Sequence, residues 1–207
     1  MTDVENKEWQ GFLYISRYAG MREDIVQAGG GNSSAKISGK RMYIKASGYS
    51  MADISERKGF SIIDQEKILR FLNSDSEISE EGTKKAVEEA FLEGEKPSIE
   101  SFLHAMTGKY TLHSHPVTVN IMTSRENGEK ELKELFPEAL FVEYATPGSG
   151  LAKLYYERCM QASDKKIELV FLRNHGLIVS AESPGRVIER TEYVLKRLEE
   201  YLNLNME

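Results

Sequence analysis

Apolar residues along this chain keep changing their period, and that constrains its fold more than any single motif does. Short β-like runs alternate with stretches whose apolar positions lie three and four residues apart. Trp9, Phe12 and Leu13 stand at i, i+3 and i+4 with small Ser16 at i+7, which predicts an amphipathic helix over 5–18 that ends near Gly20. Further helices are expected over 65–72, placed to be capped by Asp64, over 80–92, and over 98–106 after Pro97 with Ser98 as the cap. A last, long one opens at Ser183-Pro184, a cap followed by proline at the first helical position, and runs to about Leu202. Between them, strands are expected over 34–37, 41–46, 60–63, 110–115, 138–144, 167–172 and 176–180. The first two are joined by the turn Ser38-Gly39-Lys40 and read as a hairpin. Strands and helices interleave throughout, so the expected class is α/β.

Composition narrows the function. The length of 207 residues fits a single domain over 1–207. Lys plus Arg is 27 against 33 for Asp plus Glu, a net charge of −6, which argues against a nucleic-acid binder working by bulk charge. No run approaches the ~18 apolar residues of a spanning helix, and MTDVENKEWQ lacks the basic-then-apolar pattern of a signal peptide. A cytoplasmic protein without a membrane partner is therefore expected. The lone Cys159 excludes an internal disulfide, a Cys-cluster metal site and a CxxC redox pair. Charge is also unevenly spread. Residues 73–96 hold eight acids and three lysines, read as a solvated helix face, whereas 29–48 hold Lys36, Lys40, Arg41 and Lys45 with no acid. Within that basic stretch, Gly29-Gly30-Gly31-Asn32-Ser33-Ser34 and Ala46-Ser47-Gly48 offer backbone N–H groups, an amide and hydroxyls to an anion. The spacings GxxxxGK[ST] and GxGxxG are absent, so a nucleoside triphosphate or dinucleotide is not indicated.

The strongest chemical signal is His113-Ser114-His115. Residues two apart on a strand project to the same side, so both imidazoles can reach one metal ion. The pair alone is short, and ordinary strand histidines share it. His175, between an apolar run and Gly176, adds a third imidazole at a strand end. Three neutral imidazoles with an open position is the layout of a catalytic zinc site. His104, the fourth histidine, lies four residues after Glu100 on the same expected helix and reads as a packed residue beside that site.

Taken together, these pieces resemble the class II aldolase/adducin family of zinc-dependent sugar-phosphate enzymes. The matching elements occur in family order: GGGNSSAK from Gly29, IKASG from Ile44, KPSIESFLHA from Lys96, HSHP from His113, YATPGSGLA from Tyr144 and RNHGLIV from Arg173, across about 150 residues. The wording is closest to the branch that includes the aldolase part of bifunctional rhamnulose-1-phosphate aldolase/alcohol dehydrogenases. The resemblance implies a three-layer αβα fold with a central, largely antiparallel sheet, assembled as a homotetramer with sites at subunit interfaces. It also implies roles. His113, His115 and His175 would hold one Zn2+ per subunit, and Glu100 would be the catalytic acid/base. Gly31, Asn32, Ser47, Gly48 and Ser98 would bind the phosphate of a small sugar phosphate.

Chemistry explains why these parts belong together. In a retro-aldol cleavage the electrons of the broken C–C bond collect as an enediolate, which a divalent cation stabilises, and a carboxylate moves the proton at the carbon that becomes nucleophilic. The reaction expected is cleavage of a ketose 1-phosphate to dihydroxyacetone phosphate and an aldehyde. Two other uses of the same metal site stay open, dehydration and epimerisation of a sugar phosphate; epimerase relatives tend to carry Asp at the position of Glu100, which favours the aldolase. A non-catalytic, adducin-like scaffold would have lost the histidines. The sequence departs from the family pattern in two places: Ile99 follows Ser98 where relatives often carry a second serine, and the tyrosine that some relatives supply from a neighbouring subunit has no alignable counterpart, leaving Tyr144, Tyr155, Tyr156 and Tyr201 unranked.

Overall fold

A computed structural model describes residues 3–38, 40–74, 78–162 and 167–204. Among them eight strands form one sheet: β1 (Asn32–Lys36), β2 (Arg41–Lys45), β3 (Phe60–Asp64), β4 (Phe91–Gly94), β5 (Tyr110–Ser114), β6 (Leu140–Val142), β7 (Leu169–Leu172) and β8 (Gly176–Ala181). Their order is β4-β3-β2-β1-β5-β8-β7-β6. Every neighbouring pair is antiparallel except β6 with β7. The helices are α1 (Asp3–Gly20), α2 (Gln65–Leu72), α3 (Glu80–Ala90), α4 (Ser101–Ala105), α5 (Val117–Ser124), α6 (Gly128–Leu135), α7 (Ser149–Gln161) and α8 (Pro184–Leu202).

The period-2 alternation of the strands sorts side chains into two layers of helix. Tyr43, Ile62, Phe171, Leu177 and Val179 pack with Trp9 and Phe12 of α1, Val119 of α5 and Val194 of α8. Their neighbours in sequence face the other way, in two separate clusters. Met42, Ile44 and Ile63 meet Ile68 of α2, Val87 of α3 and Phe102 of α4. Val170, Leu172 and Ile178 meet Leu103 of α4 and Leu151 and Tyr155 of α7. The expected three-layer α/β architecture with a largely antiparallel sheet is thus present. Rings concentrate where α1 crosses the sheet, with Trp9 5.1 Å from Tyr43 and 4.8 Å from Phe60, centroid to centroid, both edge-on.

Several boundaries differ from the sequence reading. The helix expected over 80–92 stops at Ala90, and Phe91–Gly94 turns into an exposed edge strand on β3. The segment after Pro97 is helical only from Ser101, so the cap position falls to Glu100, without a side-chain cap bond, and not to Ser98; Ser98 closes the turn before it, its Oγ accepting from Glu100 N at 3.2 Å and its carbonyl from Ser101 N at 3.1 Å. The strand expected over 138–144 contracts to Leu140–Val142. Capping was legible elsewhere, since Asp64 accepts from Glu66 N and Lys67 N and Ser183 accepts from Arg186 N. The β1–β2 hairpin forms as expected, while Gly39 at its turn lies outside the described residues. Helices α5, α6 and α7 carry no start signal of the kind that marks α2 and α8: none has a side-chain cap, and α5 is rich in Val, Thr and Ile.

Candidate active site

Strands β1 and β5 lie side by side at mid-sheet, with Asn32 opposite His113 and Ser34 opposite Thr111. On the face that holds two apolar clusters, these four residues are polar, and they form a strip between the clusters. Helix α4 covers the gap. His104 Nδ1 lies 2.7 Å from Ser34 Oγ, Thr107 Oγ1 2.6 Å from Thr111 Oγ1, and Asn32 Nδ2 donates to Glu100 Oε2 at 3.3 Å. The sheet thereby fixes Glu100, the residue at the cap position just before α4, over His113.

Three imidazoles meet beneath it. His113 Nε2 lies 3.2 Å from His175 Nε2 and 3.2 Å from His115 Nε2, and one ligand atom of each residue falls within 4.8 Å of the others. His113 sits in β5; His115 follows the strand and donates its backbone N–H to Ile25 O at 3.0 Å. His175 occupies the tip of the β7–β8 hairpin, after Asn174 in the left-handed region (φ 52°), with Leu172 paired to Gly176. The 3.1 Å contact of His113 Nδ1 with Leu177 O requires the proton on Nδ1, because a carbonyl only accepts. In the neutral ring this tautomer leaves the lone pair on Nε2, the atom that faces the other two rings. Nitrogen ligands bound at 2.0–2.1 Å in a tetrahedron stand about 3.3 Å apart, so the observed spacing fits a single zinc-sized ion. Glu100 Oε1 lies 3.4 Å from His113 Nε2 and 3.7 Å from His175 Nε2, at the same focus.

Electrostatics agree with a cation site. Burial, reinforced by the charges of His113 and His175, holds His115 down to about 3, and burial with His113 holds His175 down to about 4. Both rings thus stay neutral and available as ligands at ordinary pH. Burial pushes the Glu100 carboxyl up, while the charge and hydrogen bond of protonated His113, with the protonated forms of His104 and His175, pull it down, and the net direction is down. His104, fully buried, is held down to about 3, chiefly by that burial, and packs neutral beside the site, as its spacing from Glu100 suggested.

Two glycines make room for the triad. A Cβ on Gly176 would stand 2.3 Å from Ser114 O and 2.9 Å from His115 Cδ2; one on Gly30 would stand 2.9 Å from His115 Nδ1. The glycine run read as an anion loop therefore also packs against a metal-ligand candidate, and Gly30 N is already committed to Gln27 O.

A cleft leads away from the histidines. Glu100, Leu103 and Leu151 line a 190 Å³ cavity, which shares Ser98, Ile99, Pro147 and Gly148 with a 560 Å³ cavity that reaches Ser47, Lys84, Lys96 and Thr146. Ser47 and Ser98 are thus brought to one wall, tied by the bond from Ser47 N to Lys96 O at 2.9 Å and by the Ala46–Pro97 bridge. Gly48, with φ +82°, supplies the turn. The acidic segment read as a solvated face also forms cleft wall, because Glu80, Thr83, Lys84, Val87 and Glu88 of α3 line it. The basic stretch disperses: Lys40 pairs with Glu66, Arg41 with Glu5, and Lys36 donates to the carbonyls of Ala105 and Thr107. No tyrosine lines the cleft among the described residues. Tyr155 is buried in the apolar cluster, Tyr156 donates to Asn73, and Tyr144 and Tyr201 are exposed. Sequence reasoning missed Leu103, Leu151 and the 146–150 wall as cleft residues; YATPGSGLA carried the signal, but only as a resemblance.

A three-histidine cluster on a mid-sheet strand pair, with a carboxylate over it and a cleft beside it, is a candidate metal site in an α/β protein. The class II aldolase and adducin N-terminal domain model matches residues 10–202, and the chain belongs to that family. It is similar to the N-terminal class II aldolase domain of a conserved protein from Thermoplasma acidophilum, at 24% identity and a TM-score of 0.82, over 97% of this chain and 94% of that one. A sugar-phosphate aldolase from Thermotoga maritima shares the fold at 15% identity and a TM-score of 0.70, over 96% and 95% of the two chains. An uncharacterized oxidoreductase, YuxG, of Bacillus subtilis (strain 168) is 26% identical over 203 residues, 92% of this chain. The chain spans 29% of that relative's length. Among the described residues no helix is long and apolar enough to cross a membrane.

Proposed function

We propose that this chain, as a single domain over residues 1–207, is a carbon–carbon lyase: a zinc-dependent aldolase that cleaves a ketose 1-phosphate into dihydroxyacetone phosphate and an aldehyde. The observation that carries the reading is the convergence of His113, His115 and His175 with Glu100 Oε1, 3.4 Å from His113 Nε2, at one end of a cleft whose other end presents Ser47 and Ser98. His113, His115 and His175 would hold one Zn2+ per subunit, which supplies a fixed double positive charge against the negative charge that develops on the carbonyl side. In the condensation direction Glu100 begins ionised, as its depressed pKa requires, and takes the proton from the carbon that becomes nucleophilic; cleavage runs the same transfer in reverse. Asn32 gives one amide N–H to Glu100 and keeps the other for substrate. Ser47, Gly48 and Ser98, with the backbone of Gly31, receive the phosphate, whose binding energy orients the reacting carbons. We assign this activity to a homotetramer in the cytoplasm, acting on a small molecule rather than on nucleic acid.

The test is to incubate zinc-supplemented protein with candidate ketose phosphates and weigh the products. Two smaller fragments support the aldolase; loss of water or an unchanged mass replaces it with a dehydratase or an epimerase. His113→Ala and His175→Ala should remove stoichiometric zinc and activity together, and full activity in a zinc-free variant refutes the reading.

A further inference from the structure

The face of the sheet turned away from the histidines carries a separate cavity of 440 Å³, between the start of α1 and strands β2, β3 and β4. Small-molecule sites run from about 300 to 1,000 Å³, so the space suffices for a ligand. Its apolar lining is Ile62 with Trp9, Tyr43 and Phe60, three rings that meet edge-on with centroids 4.8, 5.1 and 6.2 Å apart. Its polar lining is Glu5, Arg41, Glu56 and Glu93. Glu5 and Arg41 form an ion pair and cancel each other. Glu56 lies in the loop before β3, and Glu93 shares the face of Ile62, its partner across the β3–β4 pair. Among the described residues neither has a cation within 4.0 Å, so two carboxylates are left uncompensated. Tyr43, 5% exposed, lines the cavity with a hydroxyl that has no hydrogen-bond partner among the described residues. Burial, then the charge of Glu5, raises the pKa of that hydroxyl, with Arg41 opposing and Glu93 adding. Aromatic rings attract methylene groups and cations, while carboxylates and a phenol oxygen accept from ammonium groups.

We propose that this cavity binds an aliphatic diamine or polyamine, with the methylene chain against the three rings and the ammonium groups on Glu56, Glu93 and the Tyr43 hydroxyl. The cavity shares no lining residue with the cleft beside the histidines, so its test stands whatever the reaction there proves to be. Trp9 is the single tryptophan of the chain, and its fluorescence therefore reads the cavity directly. Cadaverine and the diol of the same chain length are titrated into zinc-supplemented protein at neutral pH. Cadaverine should change the emission saturably, and the diol should not. Both carboxylates are exposed, so their substitution should leave the fold intact. Glu56→Gln and Glu93→Gln should each weaken cadaverine binding by about two- to fivefold, and the double variant by about tenfold, with calorimetry as the second readout. Glu157→Gln, on α7 across the sheet, makes the same change in net charge and should bind as wild type does. Absence of a saturable response overturns the proposal, as does a diol response equal to that of cadaverine. A double variant within about twofold of wild type overturns it too, and so does an equal loss in Glu157→Gln, which would show attraction to the acidic protein as a whole. Tighter binding of an Nα-acetyl-lysine amide than of cadaverine would assign the cavity to the lysine side chain of another protein and overturn the diamine.

Discussion

Gly176 is where the backbone leaves least room at the three-histidine site, and Gly176→Ala puts the geometry to the test. The added methyl would stand 2.3 Å from Ser114 O and 2.9 Å from His115 Cδ2. Ser114 cannot yield by changing rotamer, since the contact is to its backbone, and β5 is paired with β1 on one side and β8 on the other. Real Cβ contacts under 3.0 Å are essentially never seen, so β8 or the end of β5 has to shift by most of an ångström. Overpacking of this kind costs about 1–3 kcal/mol. At about 2–4 °C per kcal/mol for a chain of this size, the metal-free protein should melt about 2–12 °C lower. The same shift displaces His115, whose ring is the second contact. Disturbing the support of a metal ligand typically costs about 10–100-fold in affinity, or about 1.4–2.8 kcal/mol. Melting curves with and without zinc, and competition against a chromophoric chelator, read the two effects separately. Gly185→Ala is the control: a Cβ there meets nothing within 4 Å, and in the first turn of α8 it should leave zinc affinity alone and raise stability slightly. If Gly176→Ala melts within about 1 °C of wild type and holds zinc within twofold, crowding at this glycine does not hold the ligands in place.

Glu100→Gln keeps the shape of the side chain and the contact with Asn32, so it should retain zinc while turnover falls by about 10²–10⁴-fold, measured as kcat on the substrate that the mass assay identifies. Acid should destabilise the metal-free protein in a defined window. Burial, then the charge of His113, lowers His104 from 6.5 unfolded to about 3 folded, so the unfolded chain binds the extra proton between those values. Stability from His104 is therefore complete above about pH 6.5 and shrinks as pH falls toward 3, by about 2 kcal/mol at pH 5; His115 and His175, held down likewise, add to the loss, so melts should fall between pH 7 and 5 and His104→Asn should lessen that fall by its own share. Ser183→Ala removes the hydroxyl that accepts from Arg186 N and should cost about 0.5–2 kcal/mol in denaturant titration with zinc affinity unchanged.

What the sequence discloses depends on whether a residue's role is local. The cap at Asp64, the Ser183-Pro184 start and the short apolar runs of β7 and β8 each follow from neighbours in sequence, and each was legible. The pairing of His113 with His115 was legible for the same reason, although His115 stands just past the end of β5 and is held by Ile25 O. Phe91–Gly94 was not: by composition it continues α3, and only pairing with β3 makes it a strand. The charge count over 29–48 misled in a related way. Four cations close in sequence suggested one anion site, but Lys36 and Lys40 flank the β1–β2 turn and Arg41 points toward α1, so each finds a different partner. Charge summed along a chain says little about charge summed in space.

The placement of the site follows from what the sheet face beneath α4 lacks. Strands at the middle of a sheet covered on both sides usually read as apolar runs, yet β1 is NSSAK and β5 is YTLHS. On their other face the two strands still give Ala35, Tyr110 and Leu112 to the core under α1, so they are held in place from behind. On the site face every polar group has to find a partner or bear the cost of its desolvation. Ser34 and Thr111 find theirs on and just after α4, and Asn32 finds Glu100. Helix α4 is only five residues long, with Phe102 and Ala105 anchored in one apolar cluster and Leu103 in the other, so it bridges the strip rather than filling it. His113 is the residue of the strip with lone-pair capacity left over, and Glu100 is the carboxylate fixed above it. A metal ion there would complete a polar strip that the fold keeps rigid from behind and on both flanks, which is the condition for holding the proposed ligands and acid/base group in register while a substrate changes shape.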